Sequence, residues 1–434
     1  MEKKPNFIFI ISHDTGRCIE PYGYKVKMPN VTSFSKEAVK FNNYFCPAPQ
    51  CSPSRGSIIT GLYPHRNGLI GLAHKGFGIK KEVKTLQMYL MENGYETTLI
   101  GLSHETIEGE EKGLPTSSTK LGYNNYIKVD GNRANKVVKE FINFMDNRKD
   151  ERPFFISVGF EETHRPFDEY EQDADNIDEV MPFNFLPDTQ GLRKDISLFN
   201  GSAKVLDSAF GELLKYLNNN NNILENTYII FTTDHGVAFP RCKGTLMDSG
   251  LETLLIIRKP NILNSKGFEI NELLCNIDMM PTILELAGIE VPDNTDGKSF
   301  VSLINGEKKN IRDEFFCEMT WHDKYYPVRG IRTNQFKYIK HLEKGPKVYM
   351  TADIYSTNSA LSLQEEFDKP NDDEELYDLI LDPFEMNNLA YDIKYHDVSI
   401  ELRKKVENWM KETDDPILKG RIEGEESIFW KNKK

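Results

Sequence analysis

Five short runs of apolar, mostly β-branched or aromatic residues constrain this chain more than any other feature. They occupy 6–11 (Asn-Phe-Ile-Phe-Ile-Ile), 96–100, 153–159, 228–232 and 253–257. Such continuous runs suit strands buried on both faces, as in a parallel sheet. Between them lie segments with helical spacing at 31–39, 83–93, 134–146, 193–217 and 278–286; the third turns Val137, Val138, Phe141, Ile142 and Met145 inward. This alternation implies an α/β fold, a mostly parallel sheet sandwiched by helices. In such sheets ligands bind beyond the carboxyl ends of the strands. Four runs end in polar clusters: His13–Asp14, His104, His164–Arg165 and Asp234–His235. Four of the nine histidines therefore share one sheet edge. His65, in a loop expected at 63–68, is a candidate fifth.

The stretch 51–61, Cys-Ser-Pro-Ser-Arg-Gly-Ser-Ile-Ile-Thr-Gly, reads as the start of a helix with a thiol at its mouth. Ser52 is the expected cap, Pro53 suits the first turn, and Gly61 supplies the stop. Cys51 then faces free backbone N–H groups and the positive end of the helix dipole, which favours the thiolate and a bound anion. Arg55, four residues on, shares its helix face, and its planar fork suits a tetrahedral oxyanion.

The 434 residues exceed one ordinary core, so a large domain over 1–315 and a smaller one over 316–434 are expected. The second has a different texture: a hairpin at 328–340, a strand and turn at 375–383, and a helix at 399–412 packing Ile400, Leu402, Val406 and Met410. It reads as an α+β subdomain with a small antiparallel sheet. A hydrophobic content of 39% supports globular folding. A net charge of −13 argues against nucleic acid or an anionic membrane as the main partner, and obliges an anionic substrate to find a local positive pocket. No signal peptide and no membrane-spanning run is read, and six scattered cysteines fit a reducing, cytoplasmic setting.

The stretch 51–61 also resembles the signature of the type I sulfatases of the alkaline phosphatase superfamily. The likeness extends to 6–17, to 231–243 and to a Glu-Leu-Tyr-Asp-Leu segment at 375–379 followed by Asp382-Pro383 and Asn388-Leu389. It implies an alkaline phosphatase-like fold and a Cys51 oxidised to formylglycine by a maturation enzyme. The hydrated aldehyde would attack sulfur and later collapse to expel sulfate. By the same resemblance Asp14, Asp234, His235 and residue 51 hold a divalent metal, with His13 a further candidate. Calcium is the expected ion; imidazole ligands would favour manganese or zinc. Arg55, His104, His164 and Lys243 are the implied catalytic residues, His104 as the base for sulfate release and His164 or Lys243 as the leaving-group acid.

Two positions depart from the pattern. His13 stands where the family usually has Asp. Leu102 stands where a Lys precedes the retained His104, so the missing charge falls to Arg66, Arg165 or His65, unless the alignment there is wrong. The segments at 12–17 and 163–166 look most like the N-sulfoglucosamine sulfohydrolase (heparan N-sulfatase) branch. The expected substrate is thus N-sulfoglucosamine of heparin or heparan fragments. Alternatives are an O-sulfatase on another glycosaminoglycan saccharide, a phosphonate or phosphodiester hydrolase, and a non-catalytic sulfoglycan-binding protein.

Overall fold

Alternating core residues of the first strand face two different layers of helices. The structure, a computed structural model, describes residues 3–106, 121–260 and 266–432. In chain order the strands are β1 (Asn6–Ser12), β2 (Val39–Phe41), β3 (Tyr44–Phe45), β4 (Glu96–Gly101), β5 (Asn125–Ile127), β6 (Phe154–Gly159) and β7 (Thr227–Thr233). They continue with β8 (Leu255–Arg258), β9 (Phe268–Ile270), β10 (Leu274–Cys275), β11 (Glu314–Trp321), β12 (Tyr325–Thr333), β13 (Phe336–His341) and β14 (Glu374–Asp378). Ile8 and Ile10 of β1 pack with Val137 and Phe141 of the helix Ala134–Asn147 and with Phe199 and Phe210 of the 30-residue helix Gln190–Asn219. Phe7, Phe9 and Ile11 pack on the other face with Ile58 and Ile59 of the helix Cys51–Thr60 and Ile283 of Met279–Leu286. Each such side chain contributes roughly 1.5–3 kcal/mol on burial, and two-sided burial is why β1 is apolar throughout.

The main sheet has eight strands in the order β5-β4-β6-β1-β7-β8-β2-β9. The pairs from β5 to β7 are parallel; β8 runs antiparallel to β7 and to β2. The second sheet, β11-β12-β13-β14, is antiparallel and carries the helix His396–Glu412. It shares a core with the first part of the chain: Phe45, Tyr63 and Leu246 join Phe315, Val328, Leu376 and Trp409. Among the described residues no helix is long and apolar enough to cross a membrane.

Three local expectations are corrected. Gln50, not Ser52, is the N-cap of Cys51–Thr60; the Ser52 hydroxyl instead accepts from the Ala73 N–H at 3.0 Å. The helix expected at 31–39 is Pro29–Lys36, because Val39 and Phe41 are pulled into β2 between β8 and β9. The expected loop at 63–68 contains a one-turn helix, Pro64–Asn67, started by its proline. Gly61 does end the Cys51 helix in a left-handed conformation, φ +64°.

Candidate active site

Four strands adjacent in the sheet, β4, β6, β1 and β7, end side by side, and the chemistry sits at their tips. Asp14 leaves β1 with φ +56°, a conformation Asp tolerates. Its N–H donates to Asp234 Oδ1 at 2.9 Å, which ties the tip of β1 to that of β7. The Cys51 helix docks against both, with Ser54 Oγ donating to the Asp234 carbonyl and accepting from Asn276 Nδ2 at 2.8 Å.

Cys51 Sγ lies 3.1 Å from His13 Nε2, 3.4 Å from His235 Nε2 and 3.9 Å from Asp14 Oδ1. Donor atoms of Asp14, Cys51, Asp234 and His235 all fall within 4.8 Å of one another. His13 belongs to an overlapping group with Asp14, Cys51 and His164. His235 Nδ1 donates to the Gly236 carbonyl at 2.9 Å, which leaves Nε2 as the nitrogen facing the cluster. Two carboxylates, an imidazole and residue 51 make a donor set that fits a divalent cation, and His13 adds a second imidazole 3.5 Å from both Asp14 and Asp234.

The charges support one another. Burial opposes ionisation of the Cys51 thiol, yet Lys243, His13 and His235 outweigh it and hold it well below the usual thiol range. Burial likewise opposes the Asp14 carboxylate, but Lys243, His164 and His235 hold it ionised. Asp234 and Asp14 overcome burial to raise His235 well above the ordinary imidazole value. Lys243 Nζ lies 2.7 Å from Asp14 Oδ2 and 3.1 Å from His164 Nε2. Burial and Lys243 lower His164. His104 packs edge-on against His13 with ring centroids 4.7 Å apart and is close enough to Cys51 to help lower its thiol. Arg55 spends Nε on Asp234 (3.0 Å) and Nη2 on the Ser12 carbonyl (3.3 Å), leaving Nη1 buried without a protein partner.

All residues expected at the site therefore meet there: His13, Asp14, Cys51, Arg55, His104, His164, Asp234, His235 and Lys243. Of the proposed stand-ins for the absent lysine, His65 and Arg66 are engaged elsewhere, while Arg165 lines the cleft beside Asp353. His65 pairs with Glu318 at 2.8 Å and packs on Trp409, Arg66 pairs with Asp296, and Arg165 pairs with Asp195 at 3.2 Å. Sequence reasoning missed three residues from the second sheet and the segment after it. His322, in the turn between β11 and β12, is buried close to Cys51, and its Nε2 has no hydrogen-bond partner among the described residues. Its Nδ1 lies 3.0 Å from Asp323 Oδ2. Burial opposes its charge, but Asp323 raises it to about 9. Asp353 Oδ2 accepts from Lys243 Nζ at 2.9 Å. The adjacent His-Asp pair at 322–323 was the one sequence signal.

Residues 5–289 match the sulfatase family, and residues 242–359 match the C-terminal part of N-sulphoglucosamine sulphohydrolase. An ulvan-active sulfatase of Formosa agariphila is 27% identical over 438 residues, covering 97% of this chain and 83% of that protein. Human N-sulphoglucosamine sulphohydrolase is 25% identical over 467 residues, covering 95% and 91%. A solved structure of a protein in complex with its substrate D-glucosamine-2-N,6-O-disulfate superposes with a TM-score of 0.70 at 20% identity, covering 95% and 99%.

Proposed function

The chain belongs to the sulfatase family and acts on sulfated sugars, and we propose that it hydrolyses the N-sulfate of glucosamine in heparin or heparan fragments. The observation that carries the sugar reading is the match over 242–359 to N-sulphoglucosamine sulphohydrolase, because that segment delivers Lys243, His322, Asp323 and Asp353 to the site. The likeness to an ulvan-active sulfatase favours the second reading, an O-sulfatase on another saccharide.

Cys51 Sγ stands in for the oxygen of an oxidised residue 51, made by a maturation enzyme, which supplies the nucleophile for sulfur. Asp14, Asp234, His235 and residue 51, with His13 beside them, would hold a divalent ion, which would supply positive charge to the sulfate. Family resemblance favours calcium there; the imidazoles of His235 and His13 favour manganese or zinc. Around these, Arg55 holds Asp234 through Nε and keeps Nη1 buried with no protein partner. Lys243, held cationic by Asp14 and Asp353 against the cost of burial, faces the leaving atom. His164, lowered by burial and by Lys243, gives up a proton readily once charged and is the leaving-group acid. His104 borders residue 51 and takes a proton from it, while His322, kept charged by Asp323, sets a cation beside the same residue. Six buried, unbridged cysteines accord with a cytoplasmic setting.

A screen of matured enzyme on glucosamine N-sulfate, on 2-O- and 6-O-sulfated disaccharides, and on an aryl phosphate diester tests this. The N-sulfate is expected to turn over fastest. A tenfold preference for an O-sulfate would transfer the assignment to the second reading, and a preference for the diester would move it to phosphoryl chemistry.

A further inference from the structure

Asp353 places a negative charge where a site for anions has least use for one. Its Oδ2 lies 2.9 Å from Lys243 Nζ and 4.0 Å from His164 Nε2, the two groups assigned to the leaving atom above. Burial favours the protonated carboxyl, but Lys243 and His164 overcome it and hold Asp353 well below the usual carboxylate range. It is therefore an acceptor only. The backbone beneath it is fixed: Ile354 and Tyr355 are buried with Ala238, Val348 and Met350.

The side chain is a quarter exposed and opens on a cleft of about 390 Å³. The charges lining that cleft do not make it basic. Arg165 is matched by Asp195 at 3.2 Å, Asp353 is held from behind by the buried Lys243, and Asp168 is exposed with no partner among the described residues. A leaving group in this cleft meets three carboxylates, Asp168, Asp195 and Asp353, against one guanidinium, a balance suited to hydroxyls or an amine and unsuited to a second sulfate.

We propose that Asp353 is a specificity-determining residue that accepts a hydrogen bond from the departing nitrogen of a sulfamate and so favours N–S over O–S cleavage. The inference rests on the N-sulfoglucosamine reading above. In the net reaction R–NH–SO₃⁻ and water give R–NH₃⁺ and SO₄²⁻. The water oxygen ends on sulfur, the S–N electron pair stays on nitrogen, and both water protons end on that nitrogen. The leaving nitrogen brings an N–H of its own throughout and finishes as a cation, which a carboxylate holds. An O-sulfate instead develops negative charge on its leaving oxygen, which the same carboxylate repels.

The test compares matured wild type with Asp353→Asn and Asp353→Ser on N-sulfoglucosamine and on an aryl sulfate, with melting temperatures as the control for folding. Because Asp353 also holds Lys243, both activities are expected to fall. The N-sulfate kcat/KM is expected to fall at least 30-fold further than the aryl sulfate value in both variants. Equal losses on the two substrates, or no loss, would overturn the role given to Asp353. A wild type that cleaves the aryl sulfate and no N-sulfated sugar would overturn the substrate reading itself, and that result appears before any variant is made.

Discussion

The tips of β4, β6, β1 and β7 and the segment 322–353 supply the same site by different means. The strand tips bring His13, Asp14, His104, His164, Asp234 and His235 on four rigid, neighbouring strands, so sheet order alone gathers them. The second region brings His322, Asp323 and Asp353 on a turn and a strap of the antiparallel subdomain. These reach Cys51 and Lys243 only because the subdomain docks on the first part of the chain. The lesson is a division of labour: the sheet edge gathers Cys51 with the carboxylates and most of the imidazoles, and the docked subdomain adds His322 beside Cys51 and Asp353 on Lys243.

The largest effects should arise at the strand tips. Cys51→Ala and Asp234→Asn are expected to lower turnover by at least about 10⁴-fold with melting temperature preserved. A chelator should do the same reversibly, and the ion that restores rate identifies the metal. Wild-type rates in either variant would break the division at its stronger half. For the subdomain, His322→Asn should lower kcat/KM by about 10²–10³-fold on every sulfate, as expected of a lost cation beside residue 51. A change below threefold would mean that the second region contributes no chemistry.

Docking itself is open to test through a buried charge cluster. Lys337 of β13 touches Asp248 from the first part of the chain and lies 2.9 Å from Glu385, while Arg332 reaches Asp248 at 3.1 Å. Lys337→Met strands the buried Glu385 and leaves Asp248 to Arg332 alone, and should cost about 3–5 kcal/mol, read by denaturant unfolding. A loss under 1 kcal/mol would show that apolar contact alone holds the two regions together. The smallest effect concerns pH. Burial, only partly offset by Lys337, raises Glu385 to about 7 from an ordinary 4.5. A carboxyl raised in the folded state stabilises fully below pH 4.5 and loses that contribution as pH rises through 7. Glu385→Gln should flatten stability across pH 4.5–7; an unchanged slope would assign it to other groups.

The same division explains what the sequence disclosed. Two-sided strands announce themselves by continuous apolar runs, and residues just past them must lie at one edge, so Asp14, His164 and Asp234 were legible. Lys243 was legible only through family likeness, because a lysine in a loop has no intrinsic signature. Arg55 was placed correctly on its helix, but its hold on Asp234 depends on β7, which local spacing does not encode. His322 and Asp353 have no periodic context at all: they arrive through packing of Leu246, Val328 and Trp409 in one core and Ala238 and Ile354 in another. Ser52 misled because its hydroxyl is drawn to the Ala73 amide, a partner 21 residues away.

The central claim is that sulfur is attacked from residue 51, and it is tested by mass spectrometry of the peptide bearing that residue alongside sulfate release from N-sulfoglucosamine. Preparations matured to different extents should show turnover in proportion to the fraction carrying an aldehyde at position 51, extrapolating to zero for the unmodified thiol. Full activity in protein whose residue 51 is entirely cysteine would contradict it.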